Sequence, residues 1–278
     1  MIFKLEGWKK EKLNGPFMLQ ETVEGTEVAV GGWFGPGGWN SCIIESFEEK
    51  RLMNDGLGPN CGEQGTTVRV VRKSKLFDQV LKPLTDYLYG IGYVGYIDVN
   101  SIVSEDGRPL PLEFTCRWGW PLFGIFQAIN LDDPAEWLLD LVHGKDTMSV
   151  STDIVVGVVI THGDYPNSKL TERDWSGYPL RGITEHNQND LHLVDVMFGK
   201  APVGQKRSAH TYVTSDDCVL IVTGTGKTVR EAQRSAYKTV SQVGMPSDLM
   251  YRTDISDRLR EDLPALQQHG YARGMMYG

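Results

Sequence analysis

Glu113-Phe114-Thr115-Cys116-Arg117 place a carboxylate, a hydroxyl and a guanidinium close together at the end of an extended segment. A hard cation such as Mg²⁺ takes one or two carboxylate oxygens and completes its shell with phosphate and water. A guanidinium forks onto phosphate, and a lysine meets it as a point charge. Asp98 lies within the apolar run Gly95-Tyr96-Ile97-Asp98-Val99, where a buried acid is costly unless paired or metal-bound. Asp98 and Glu113 are therefore candidate metal ligands, although their spacing equally fits two acids on a solvated sheet face. Lys50, Arg51 and Arg117 are candidate phosphate clamps. Two earlier segments, Gln20-Glu21-Thr22-Val23-Glu24-Gly25-Thr26-Glu27 and Gly58-Pro59-Asn60-Cys61-Gly62-Glu63-Gln64-Gly65, carry further polar and glycine-rich chemistry suited to a nucleotide.

Local patterns position these residues. Apolar runs over Phe17 to Gln20, Thr26 to Trp33 and Cys42 to Phe47, parted by glycine-rich corners, read as antiparallel strands. Leu76, Phe77, Val80, Leu81, Leu84 and Leu88 follow helical spacing, with Pro83 interrupting the ladder and Gly90 ending it. Tyr93 to Val103 and Leu110 to Phe114 read as strands joined through Asp106-Gly107, a strong hairpin signal that allows Asp98 and Glu113 to face each other. Asp132-Asp133 cap a helix over Pro134 to His143. Beyond a polar stretch at Lys145 to Asp153 come strands over Ile154 to Thr161, Val194 to Phe198 and Val219 to Thr223. A helix over Thr228 to Val243 follows, opened by the Thr228/Glu231 capping box. The fold class expected is α+β: an antiparallel sheet with helices over residues 1–148, then a small mostly-β domain with one helix over 149–260. Residues 261–278 are expected to form a polar, loosely ordered tail.

Composition narrows the partners. The chain has 278 residues, 40% of them hydrophobic, with a net charge of −8 and dispersed basic residues, which argues against nucleic acid or an anionic membrane as a partner. The four cysteines form no CxxC pair and the amino terminus has no apolar core segment, as expected of a reduced, cytoplasmic protein. The six histidines show no metal-ligand spacing, and no Gly-x-Ser-x-Gly elbow is present. Gly224-Thr225-Gly226-Lys227-Thr228 imitates a phosphate loop, but Ile221 stands where that pattern needs glycine, so a tight strand-to-helix turn is the better account.

Taken in order, these segments resemble the phosphoribosylamine-glycine ligase family, also called glycinamide ribonucleotide synthetase, whose members are ATP-grasp enzymes. The family's hinge, Glu-Glu-Phe-Leu-x-Gly-x-Glu, is similar to Gln20 through Glu27. Its Lys-Arg followed by Gly-Pro-Asn-Thr-Gly-Gly-Met-Gly resembles Lys50-Arg51 and then Gly58 through Gly65, and its Glu-Phe-Asn-x-Arg-Phe-Gly-Asp-Pro-Glu resembles Glu113 through Leu122. In the second half, Val158 through Pro166 resembles the family's strand ending in Gly-Tyr-Pro, and Tyr251-Arg252-Thr253-Asp254-Ile255 its Tyr-Arg-x-Asp-Ile. Thr115 stands for the family's asparagine, Trp120 for the aspartate of Gly-Asp-Pro, and Asp216-Asp217-Cys218 for Gly-Gly-Arg. Asp98 falls where other ATP-grasp ligases carry a metal-binding acid.

The resemblance implies purine-biosynthetic chemistry: ATP phosphorylates glycine or another amino acid, and phosphoribosylamine or another amine attacks the acyl phosphate. It places Glu21, Thr22, Val23 and Glu27 at the adenine end of ATP, with Arg51 and Asn60 also on the nucleotide. It implies Asp98, Glu113 and Thr115 on Mg²⁺ (or Mn²⁺), and Arg117 and Lys50 on the transferring phosphoryl group. The resemblance begins just before the hinge, so the family's amino-terminal domain and lid have no counterpart in it, and a separate chain is an expected partner. The alternative is a non-catalytic, repurposed remnant that binds nucleotide or serves as a partner module.

Overall fold

The computed structural model describes residues 20–166, 174–202 and 208–278. The strands are β1 (Thr26–Gly35), β2 (Gly38–Met53), β3 (Leu57–Val71), β4 (Gly95–Val103), β5 (Pro109–Thr115), β6 (Ile154–His162), β7 (Leu191–Leu193), β8 (Val196–Pro202), β9 (Ser208–Thr214), β10 (Cys218–Gly226) and β11 (Leu249–Met250). The helices are α1 (Lys75–Val80), α2 (Thr85–Gly90), α3 (Leu122–Gln127), α4 (Pro134–Val142), α5 (Val229–Val240) and α6 (Leu259–Gln268). An antiparallel sheet runs in the order β5-β4-β1-β2-β3-β6-β10-β7, with β11 added beside β6, and β8 pairs with β9 separately. This is the α+β, antiparallel-sheet class the sequence indicates. The sheet continues through the polar stretch after residue 145, because β3 pairs with β6 from Gly65↔Val158 to Val68↔Val155.

Alternation along the strands sorts the chain into two faces. Val28, Val30, Phe47, Val99, Val156 and Val158 point to one core, which α1, α5 and α6 cover. Trp33, Ile44, Val68, Tyr96, Val155 and Val159 point to the other, covered by α3 and α4 through Ile125, Phe126, Trp137 and Leu141. On this second face Trp33 packs edge-on against Trp118 and Trp137, at 4.7 and 5.0 Å between ring centroids. That packing anchors the segment that follows Arg117.

The caps act as the sequence indicates. Asp133 accepts from the Ala135 amide at 2.8 Å and Thr228 from the Glu231 amide at 3.2 Å, each satisfying an otherwise orphaned helix donor. Pro83 sits in a short 3-10 turn that separates α1 from α2. The phosphate-loop imitation is a packing device: a Cβ on Gly224 would lie 2.0 Å from the Ala236 backbone nitrogen of α5, and Lys227 pairs with Asp153.

One expectation falls mostly outside the described residues, and another needs correcting. Of the apolar run over Phe17 to Gln20, residues 17–19 lie outside the described residues and Gln20 is not in a strand. The expected loose tail is ordered: α6 buries Leu259, Leu263 and Leu266, and Tyr271, Ala272 and Met275 join the same core. Leucines at i, i+4 and i+7 make one apolar stripe, which overrides the polar composition and the internal Pro264. Leu263→Ala is expected to lower stability by about 3 kcal/mol in urea denaturation, whereas a loose tail would leave the midpoint unmoved. Among the described residues, no helix is long and apolar enough to cross a membrane.

Candidate functional site

The polar end of the second sheet face gathers the chemistry. In the β4–β5 hairpin Asp98 stands opposite Thr115, and Asn100 opposite Glu113. Directly paired residues share a face, so all four side chains do, and the two carboxylates are diagonal neighbours rather than opposed. On the other side of β4, Gly31 lies across from Asp98 and Ala29 across from Asn100. The missing side chain at Gly31 admits the Tyr96 ring beside Asp98: a Cβ on Gly31 would lie 2.0 Å from the Tyr96 hydroxyl and 2.8 Å from the Asp98 Cβ.

Asp98 is only 6% exposed. Burial first, and then the charge of Glu48, push its carboxyl up to about 7, while hydrogen bonds from Thr115 and Tyr96 and the charge of Arg117 work in the other direction. Glu48 on β2 is raised as well, chiefly by burial, against the opposing effect of Lys50 and an Asn100 amide donated at 3.2 Å. Glu63 on β3 is buried and lies well above the usual carboxylate range, because burial and then the charge of Glu48 disfavour its anion. One cation answers these acids directly. Lys50 Nζ sits 2.6 Å from Glu27 and 3.6 Å from Glu48. Burial works to lower its pKa, but the bond to Glu27 and the charges of Glu27, Glu48 and Glu113 outweigh that, and the lysine is held charged.

The structure therefore brings together Asp98, Glu113, Thr115, Lys50 and Glu27, with Arg117 near enough to act on Asp98. Glu113 and Arg117 are exposed at the open edge of the sheet. The remaining sequence candidates lie apart from this group. Glu21 and Thr22 are exposed and Val23 half-buried in an irregular segment before β1. Arg51 is paired with Asn60 across the β2–β3 hairpin, and its guanidinium donates to the Gly58 carbonyl at 2.8 Å. Sequence reasoning overlooked Glu48 and Glu63. Strand parity from Lys50 gives Glu48, but Glu63 follows a shift in register between Glu49 and Arg51, which no spacing rule reveals.

Among the described residues, no three His, Cys, Asp or Glu side chains converge as a ready-made metal cluster. What the face offers is two carboxylates and a hydroxyl, beside buried oxygens of Glu63 and Asn100 that lack hydrogen-bond donors. A separate cleft of about 440 Å³ lies at the hairpin tip, lined by Leu52, Met53, Asn54, Gln64, Met250 and Tyr251 among others, and none of the site carboxylates reaches it.

The second half of the chain ties into this hairpin. Arg252 of Tyr251-Arg252-Thr253-Asp254-Ile255 contacts Glu49 at 3.3 Å and donates to the Arg51 carbonyl at 3.1 Å. Asn54 at the hairpin tip bonds both the hydroxyl and the amide of Thr253.

The family profile of the phosphoribosylglycinamide synthetase C domain matches residues 155–258, which include that motif. Phosphoribosylamine-glycine ligase from Ralstonia nicotianae is 30% identical over 226 residues, 78% of this chain and 50% of the relative. Residues 155–258 thus resemble that family's C domain, and the wider match is to phosphoribosylamine-glycine ligases. The Streptococcus pneumoniae phosphoribosylamine-glycine ligase is 28% identical over 251 residues, 87% of this chain and 56% of its own. The crystal structure of the Thermotoga maritima phosphoribosylamine-glycine ligase superposes with a TM-score of 0.63 at 25% identity, covering 84% of this chain and 56% of that one. The chain thus spans about half the length of the family members it matches.

Proposed function

We propose that this chain supplies the metal- and phosphate-binding half of an ATP-dependent carbon–nitrogen ligase of the phosphoribosylamine-glycine ligase type. The observation that carries the reading is the shared face of Asp98, Thr115 and Glu113 at an open sheet edge, with Lys50 fixed beside it by Glu27. Mg²⁺ fits these residues, since it needs few carboxylates and takes phosphate and water for the rest, and an acid raised to about 7 by burial is one that a cation would return to its anion. Mn²⁺ shares the same preference for oxygen donors. The metal, when bound, neutralises charge on the β- and γ-phosphates.

The chain's own residues do the rest by position and charge. Asp98, Glu113 and Thr115 hold the cation, Asp98 being fixed by Tyr96. Lys50, already oriented by Glu27, and Arg117, on the exposed rim, steady the phosphoryl group as it passes from ATP to the carboxylate of glycine or another amino acid. The amine of phosphoribosylamine, or of another acceptor, then displaces phosphate to form the amide. Glu21, Thr22, Val23 and Glu27 are assigned to the adenine end, and Arg51 and Asn60 to the nucleotide. In this reading residues 1–148 carry the nucleotide chemistry and 149–260 form the C-domain that braces it. A partner chain bearing the lid and amino-terminal domain closes the pocket, since exclusion of water is what protects an acyl phosphate.

Equilibrium binding of a non-hydrolysable ATP analogue with Mg²⁺ tests the reading. Glu113→Ala is expected to weaken Mg²⁺-dependent binding by about tenfold or more, the effect of one charge-assisted contact. Equal binding by both proteins would remove the metal assignment. Absence of binding by the unaltered chain would favour the repurposed partner module.

A further inference from the structure

Glu63 has no place in the chemistry above, and the family pattern has glycine at its position. Here it is a carboxyl side chain 6% exposed, with Oε1 lacking any hydrogen-bond donor. It lies close enough to Glu48, Lys50, Asp98 and Glu27 to feel all four charges. Asn100, equally buried, spends its amide on Glu48 Oε2 at 3.2 Å and leaves its own Oδ1 without a donor. Two buried acceptors thus flank Glu48, both short of an N–H or O–H, and buried polar atoms of that kind are rare in folded proteins.

We infer that Glu63, Glu48 and Asn100 form a subsite for a primary ammonium group carried by the substrate. An ammonium brings three N–H donors and one positive charge, which answers both deficits at once. One of these acids already shares such a group, since Glu48 lies 3.6 Å from the Lys50 ammonium, which Glu27 holds at 2.6 Å. A metal is the poorer occupant, because no three carboxylates converge there among the described residues and Asn100 turns its amide nitrogen, a donor, toward Glu48. The inference rests on the proposed ligase reading only in assigning the ammonium to the amino-acid or amine substrate. Compared with a glycine at position 63, the extra carboxylate selects for a substrate that presents an ammonium toward β3.

The test is an NMR titration of the full chain with methylammonium chloride, using tetramethylammonium chloride, which has no N–H, as the control. Saturable shifts of the Glu63 and Asn100 amides with methylammonium alone are expected, weakened roughly tenfold in Glu63→Gln. Glu63→Gly should behave as Glu63→Gln does, which separates the carboxylate from the local fold. Unsaturable shifts, equal affinity in the variants, or equal shifts with tetramethylammonium would overturn the subsite. So would Mg²⁺ binding that is lost in Glu63→Gln, since the position would then be a metal site. Binding of the Mg²⁺–nucleotide analogue, followed in the same variants, is expected to persist. Its absence from the unaltered chain would sink the ligase reading while leaving the ammonium result to stand on its own data.

Discussion

Arg252→Ala is expected to lower folding stability by about 3–5 kcal/mol, the cost of breaking a buried ion pair from one side. The Arg252 side chain is 3% exposed. Its Nε and Nη2 each donate to Asp254 at 2.8 Å, its Nη1 donates to the Arg51 carbonyl at 3.1 Å, and Glu49 lies 3.3 Å away. Removing it leaves a mostly buried Glu49 with Arg258 alone, and Glu49 is already pushed up by burial despite both arginines. It also frees the β2–β3 hairpin from the Tyr251–Ile255 segment. Urea denaturation at neutral pH reads the effect as a lower midpoint at unchanged slope. Lys82→Ala is the control, because the Lys82–Asp78 pair is 64% and 55% exposed and exposed pairs contribute about 0–1 kcal/mol. A loss at Arg252 no larger than the control's would mean that the C-domain motif does not brace the hairpin.

How much of this is legible in the sequence depends on whether the signal is local. Asp106-Gly107 marks the β4–β5 turn, Thr228 and Asp133 mark helix starts, and Pro83 marks the break, because each acts within a few residues of itself. The same Asp-Gly signal at Asp55-Gly56 lies at the tip of the long β2–β3 hairpin, where both residues have positive φ, 57° and 65°. A nucleotide reading of the glycine-rich segment after it hides that turn. The α6 stripe of Leu259, Leu263 and Leu266 is equally periodic, but Pro264 and its charged neighbours conceal it. β7 and β11 span three and two residues, too short for any period to show.

The site is legible by residue type and not by arrangement. Asp98, Glu113 and Thr115 fall on one hairpin, as their sequence context indicates, but only the register shows that Thr115, not Glu113, stands opposite Asp98. Lys50 reads as a phosphate clamp, and its tie to Glu27 comes from a strand twenty-three residues earlier. Glu48 and Glu63 belong to the group through long-range pairing and burial, neither of which a linear pattern contains. Conversely, Arg51 and Asn60 sit in the same motif as Lys50, yet alternation and exposure carry them away from the carboxylates.

Burial of those carboxylates leads to the second large effect, at Asp98. Its carboxyl titrates at about 7 against an ordinary value of 3.8. Between those two pH values the folded chain holds a proton that the unfolded chain has released, so stability falls as pH rises through this window. The deficit is complete above pH 7 and absent below about 4. Asp98→Asn removes the ionisation while keeping a side chain that accepts from Thr115. The variant is expected to match the parent near pH 4 and to exceed it at pH 8 by on the order of 3 kcal/mol. Glu48 and Glu63 are raised by the same burial, so the variant keeps part of the pH dependence. With Mg²⁺ and a nucleotide analogue the order should reverse, because a ligand that binds only the folded state stabilises it by mass action and the neutral carboxamide of the variant offers that cation no charge. Denaturation midpoints at the two pH values, with and without ligand, measure both halves. A variant that gains stability but also keeps the ligand shift would leave Asp98 a buried acid with no cation to serve.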